Sequence, residues 1–210
     1  YNKGNELFSK GNVIEAIKYY EKAANKNHNE AMCALGIINY YGFGVNISYK
    51  RAKSWFVKSI DNGNTIANHY LGRIYYFGLI DKKDTILAKQ YFYKFKDNYI
   101  KYHKPEGVIY KSNFAFLYYY GLAGYNKDFN KAKELYEDAA VLGDTYSNFS
   151  LGNMYYKGIS IKKDYAKAKK YYDEAIKKDF VIAYTQLGLL YENGFGVDKN
   201  YYTALQWYKK

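Results

Sequence analysis

Five glycines, Gly42, Gly78, Gly121, Gly158 and Gly194, each close a cluster of aromatic residues, and an alanine follows ten or eleven positions later, at Ala52, Ala88, Ala132, Ala168 and Ala204. The interval between successive alanines is 36 residues except once. Self-similarity at a period of about 20 to 50 residues is the mark of a solenoid, in which each unit buries its apolar face only against its neighbours. This periodicity overrides any estimate of domain number from the length of 210 residues and predicts one continuous domain.

One period shows what the unit is. In Glu30 to Asn64, Ala31, Leu35 and Ile38 recur at helical spacing, and after Gly42-Phe43-Gly44 so do Ala52, Trp55, Phe56 and Ile60. That is two amphipathic helices joined by a turn. Glycine supplies the positive φ that ends the first helix, Asn46 and Ser48 are suited to cap the second, and Asn62-Gly63 ends it. Gly36, Gly72, Gly152 and Gly188, with Ala115 in their place in one unit, fall with the second-slot alanines where the paired helices approach most closely. The fold class expected is all-α: a right-handed α/α superhelical solenoid of about six helix-turn-helix repeats.

The pattern of Ala, Leu-Gly, Tyr, Gly-x-Gly-Val, Ala and an aromatic pair resembles the Sel-one-like repeat, a relative of the tetratricopeptide repeat. The last unit, AYTQLGLLYENGFGVDKNYYTALQWYKK, is nearly a consensus copy. Residues 1–28 resemble a plain tetratricopeptide unit more closely, with Gly4, Leu7, Ala16, Tyr20 and Ala23 on its signature positions. Five Sel-one-like units follow at 29–64, 65–105, 106–144, 145–180 and 181–210. The one irregular interval, 44 residues between Ala88 and Ala132, puts an insertion around Asp97 to Pro105. Such an insertion forms a longer helix or an outward loop, either structural or part of a binding face. The second unit also lacks the Gly-x-Gly turn, reading FGLIDKKD.

Composition narrows the function. The formal charge of +12 invites a nucleic-acid reading, but Arg51 and Arg73 are the only arginines among 32 basic residues. Arginine is the residue of bidentate phosphate and base recognition, so nucleic acid is disfavoured and membrane-surface contact would be weak and salt-sensitive. The outward lysines of the second helices, such as Lys163, Lys167, Lys170, Lys177 and Lys178, read as a solvated shell. Cys33 is the sole cysteine and reads as a buried thiol. His28, His69 and His103 lie in separate units with no partner at metal-ligand spacing and read as surface or helix-end residues. No metal, no cofactor and no catalytic constellation is expected. No run approaches the roughly 18 apolar residues of a membrane span. A sequence opening on Tyr1 reads as a piece of a longer or processed product, with any signal peptide removed. The compartment is open, leaning to a bacterial periplasm or cell envelope.

Subtracting the packed Ala, Leu, Gly and Tyr slots leaves a strip on the first helices, which in a curved solenoid line the concave side. Its residues are Ile37, Tyr40 and Tyr41, then His69, Arg73, Tyr76 and Phe77, then Phe116, Tyr119 and Tyr120. Phe149, Asn153, Tyr156 and Glu192 complete it, with Cys33, Ser112, Lys157, Thr185, Leu189 and Asn193 at the remaining register positions. Tyr and Arg are enriched in protein-binding hot spots, so the strip reads as a groove for a protein or peptide, with Arg73 and Asn153 as polar anchors. The alternative is that some of these rings pack between adjacent units. The resemblance implies a non-catalytic scaffold or adaptor, in envelope assembly, virulence, toxin immunity or protein quality control. A basic binder of anionic lipid or nucleic acid, and a cell-wall hydrolase, are the disfavoured alternatives.

Overall fold

The computed structural model describes residues 1–102 and 107–210. Among them are twelve α-helices and no strand, arranged in six pairs. The pairs are α1 (Asn2–Ser9) with α2 (Val13–Ala24), α3 (Asn29–Tyr41) with α4 (Tyr49–Asp61), and α5 (Ala67–Phe77) with α6 (Thr85–Tyr102). Then come α7 (Gly107–Tyr120) with α8 (Phe129–Val141), α9 (Thr145–Lys157) with α10 (Tyr165–Ile176), and α11 (Val181–Asn193) with α12 (Tyr201–Tyr208). The helix-pair repeat expected from the periodicity is the fold observed. By its contacts the chain groups into two compact units, Tyr1–Lys104 with Leu122–Gly124, and Pro105–Gly121 with Tyr125–Lys210. Within each unit the second helix of a repeat packs on the first helix of the next: α2 on α3 and α4 on α5 in the first, α8 on α9 and α10 on α11 in the second.

Local chemistry sets the helix ends. Gly42 stops α3 in the left-handed conformation at φ 74°, and Gly78, Gly158 and Gly194 do the same for α5, α9 and α11. Ser48, not Asn46, caps α4, its side chain accepting from the Arg51 amide; Asp128, Asp164 and Asn200 cap α8, α10 and α12 in the same way. The second turn glycine has a strict conformational role only in part: Gly44 and Gly196 have φ 61° and 69°, yet Ala123 and Ser160 hold φ 55° and 59° at the corresponding place.

The small-residue slot works differently from a simple close approach of two backbones. A Cβ built on Gly36 would lie 2.4 Å from the Phe56 ring, on Gly72 2.7 Å from Phe92, on Gly152 2.5 Å from Tyr172, and on Gly188 2.3 Å from Tyr208. The glycine therefore makes room for the aromatic residue four positions after the second-slot alanine. In the first repeat a Cβ built on Gly4 would lie 2.8 Å from the Tyr20 ring. Where the ring is tyrosine its hydroxyl needs an acceptor: Tyr20 donates to Asn5 Oδ1 at 2.9 Å, Tyr172 to Asn153 Oδ1 at 2.8 Å, and Tyr208 to Glu192 Oε2 at 2.6 Å.

The surplus residues before the fourth repeat lengthen α6 to 18 residues, against 13 in α4 and α8. Tyr99 in that extension is buried, its ring 5.6 Å from Phe95. His103 and Pro105 lie outside the described residues.

Candidate functional site

Within each unit, first helices of adjacent repeats sit close enough for their side chains to meet. This changes the reading of the strip. Tyr40, Tyr41, His69, Arg73 and Phe116 are buried, as are Cys33 and Ser112. Ile37, Tyr76, Tyr119, Tyr120, Phe149, Asn153, Tyr156 and Glu192 are half-buried, and Phe77 and Lys157 are exposed. A ring of the next repeat covers two of them: Tyr70 on α5 meets Tyr40 at 5.9 Å and Tyr41 at 6.2 Å. His69 is thus no surface residue, and burial, with Arg73 nearby, holds its imidazole well below the ordinary value and neutral. His28 caps α3 through Nδ1, as a helix-end residue. The Cys33 thiol is pushed up to about 12 by burial.

Two niches at equivalent places, one in each unit, organise the rest. In the first unit α3 contributes Tyr40 and Tyr41 and α5 contributes His69, Arg73 and Phe77. The Arg73 guanidinium lies 5.1 Å from the Tyr40 ring centre and 5.4 Å from that of Tyr41, and Nη1 donates to the Tyr41 hydroxyl at 2.5 Å. Arg73 is only 4% exposed. It is an internal filler, not an anchor for a partner.

In the second unit the same register brings Tyr119 and Tyr120 from α7 against Phe149, Asn153 and Lys157 from α9. Asn153 replaces Arg73, and its amide oxygen is taken by the Tyr172 hydroxyl. A pocket of about 110 Å³ opens here, walled by Tyr119, Tyr120, Tyr136, Tyr146 and Phe149, with Ser150, Asn153 and Lys157 completing it. Four of the strip residues, Tyr119, Tyr120, Phe149 and Asn153, meet at this one place. Sequence reading missed Tyr136 and Tyr146. Tyr136 occupies the ring slot opposite the Ala115 position, and that register was the available signal.

The other strip residues go elsewhere. Tyr156 packs on Tyr165 at 5.5 Å and Phe195 at 6.1 Å, Glu192 is engaged by Tyr208, and Tyr76 carries the Lys83 ammonium 4.5 Å above its ring. The second-helix lysines are locally paired more than massed: Lys177 lies 2.6 Å from Glu174, Lys169 2.8 Å from Asp173, and Lys178 donates to the Gly143 carbonyl. No helix among the described residues is long and apolar enough to cross a membrane. No three His, Cys, Asp or Glu side chains among them converge as metal ligands would.

Helix pairs repeated at this period, with a glycine seated on an aromatic ring in each, define a helical-repeat protein. The Sel1 repeat model matches residues 1–28, 29–64, 65–98, 114–144, 145–180 and 181–210, so the chain belongs to the Sel1 repeat family. The match includes the first unit, which the sequence placed nearer a plain tetratricopeptide repeat. Sel1 repeat proteins serve as protein-interaction scaffolds. Among curated relatives, the ERAD-associated E3 ubiquitin-protein ligase component HRD3A of Arabidopsis thaliana is 33% identical over 75 residues, covering 35% of this chain and 11% of that protein. Protein sel-1 homolog 2 of Homo sapiens is 30% identical over 103 residues, covering 48% of this chain and 15% of that protein. The chain thus spans a small part of the length of these relatives. A Klebsiella pneumoniae structure described as a putative sel1 repeat protein superposes with a TM-score of 0.55 at 20% identity, covering 91% of this chain and 89% of that one.

Proposed function

We propose that the chain is a non-catalytic scaffold that holds a protein or peptide partner on the first-helix face of the second unit, at the pocket between α7 and α9. The observation that carries this is the aromatic pocket: in the first unit Tyr70 and Arg73 lie against the equivalent tyrosines, while in the second Ser150 and Asn153 stand at those positions and line a pocket. Tyrosines at a pocket wall bring large contact area at small entropic cost and keep a polar tip for hydrogen bonding, the chemistry of protein recognition. The role of HRD3A as an E3 ubiquitin-protein ligase component is consistent with an adaptor. No nucleophile–base pair or convergent ligand set competes with this reading among the described residues.

The test is affinity capture with the native chain and with Tyr119→Ala/Phe149→Ala, both verified as folded by circular dichroism. A partner recovered by the native chain and lost with the double variant is the expected result. Equal recovery by both would overturn the assignment of the pocket as the binding face.

A further inference from the structure

Apart from the strip, the first unit holds a cavity of about 300 Å³ where the end of α4 and the turn after it meet α5 and α6. Ile60 and Leu71 give it apolar surface, and Asp61, Gly63, Asn68, Lys94 and Asn98 give it polar groups. Gly63 and Asn98 stand at the registers of Gly143 and Lys178 in the second unit. There the Lys178 ammonium donates to the Gly143 carbonyl at 2.9 Å. Asn98 donates instead to the Lys94 carbonyl of its own helix, and the Gly63 carbonyl accepts no hydrogen bond among the described residues. Asp61, where the second unit has Val141, adds a carboxylate beside it. We propose that this cavity binds a free aliphatic α-amino acid, its ammonium held by the oxygens of Gly63, Asn68 and Asp61 and its carboxylate facing Lys94; the site is separate from the scaffold face and does not rest on that reading.

Three observations support that occupant. Asn68 is only 4% exposed, and while its Nδ2 donates to the Thr65 carbonyl, its Oδ1 accepts no hydrogen bond among the described residues. A buried acceptor without a donor is costly, and a ligand ammonium supplies the donor. Asp61 and Lys94 line the same cavity, yet neither forms an ion pair among the described residues. A ligand with one charge would meet one attraction and one repulsion there, whereas a zwitterion meets two attractions. Both groups are exposed, so each contact is modest and screened by salt. The volume lies at the lower end of the roughly 300 to 1,000 Å³ of small-molecule sites, which suits one amino acid better than a nucleotide or an oligosaccharide. Leu71, which is buried, and Ile60 favour an aliphatic side chain.

The experiment titrates the full chain with L-leucine, with isoamylamine, which lacks the carboxylate, and with 4-methylpentanoate, which lacks the ammonium. Backbone amide resonances of Gly63 and Thr65 are followed by NMR. Leucine is expected to give saturable shifts in the millimolar range and to bind about five-fold more tightly than either analogue, the worth of one exposed ion pair. Asp61→Asn should remove the preference over 4-methylpentanoate, and Lys94→Met the preference over isoamylamine. Asn98→Lys, which restores at this register the lysine of the second unit, should abolish leucine binding with the helical signal unchanged. No saturable shift with leucine up to about 20 mM would overturn the proposal. So would binding of either analogue as tight as that of leucine, or undiminished leucine binding by folded Asp61→Asn or Asn98→Lys.

Discussion

The niche between α3 and α5 and the niche between α7 and α9 are the same construction with different contents. Both are floored by a ring in the second-helix aromatic slot, Phe56 in one and Tyr136 in the other, and both have two tyrosines at the end of the earlier first helix. What differs is the pair of side chains flanking the small slot, Tyr70 and Arg73 on α5 against Ser150 and Asn153 on α9. Tyr70 and Arg73 lie against Tyr40 and Tyr41 and close the first niche, while Asn153 is held by Tyr172, Ser150 is small, and a pocket remains in the second. Register in a repeat protein therefore tells where a cavity could form. The side chain at a position the repeats do not share tells whether it is filled.

The largest expected effect tests the frame common to both niches. Gly72→Leu and Gly152→Leu each drive a side chain into a buried ring, since even a Cβ would lie 2.7 Å from Phe92 and 2.5 Å from Tyr172. Each should destabilise by about 3 kcal/mol, measured by denaturant unfolding. A small loss at one site and a large one at the other would break the equivalence of the niches.

Next is Arg73→Asn, which gives the first niche the asparagine of the second. Loss of a charged hydrogen bond and of stacking on two rings predicts about 2 kcal/mol of destabilisation and a new pocket between α3 and α5. An unchanged Tm would show that Arg73 is not a filler.

His69 and Phe149 occupy one register position, and only His69 titrates. Its folded value lies below its unfolded value near 6.5, so the unfolded chain binds the proton more readily. The stability of the neutral, buried form is present above pH about 6.5 and is lost as pH falls below it, with a slope of at most about 1.4 kcal/mol per pH unit from this group. His69→Phe should flatten the fall in Tm between pH 7 and pH 5, and an unchanged slope would count against burial of His69.

The smallest effect expected is that of Tyr172→Phe, which frees the Asn153 amide. It should cost about 1 kcal/mol, because the acceptor left behind is only half-buried and regains water. Asn153 would then be the residue that admits or excludes ligand.

Much of the fold was legible because its determinants are local. Gly42 and Gly194 end helices by adopting a conformation other residues resist, and Ser48 caps by a bond to an amide three residues on; both act through neighbours in sequence. The repeat register, with a small residue at Gly36, Gly72, Gly152 and Gly188, was equally plain. What the slot faces was not, since the ring it clears lies on the other helix. The strip was the least legible part, because exposure of a first-helix residue is decided by the next repeat: Tyr40 and Tyr41 are covered by Tyr70 and Arg73, some 30 residues on. Left-handed Ala123 and Ser160 were hidden for another reason. Neither residue type announces a positive φ, and tertiary context imposes it.

The contrast between a filled and an open niche has a direct probe. Fluorotyrosine placed at position 40 in one sample and at 119 in another, each titrated with phenol at concentrations too low to unfold the chain, reports by ¹⁹F NMR whether a small aromatic probe enters. The resonance at 119 should shift in a saturable manner while that at 40 stays fixed, because Tyr70 and Arg73 already occupy the first niche. Equal shifts at both positions, or a shift at neither, would contradict the account.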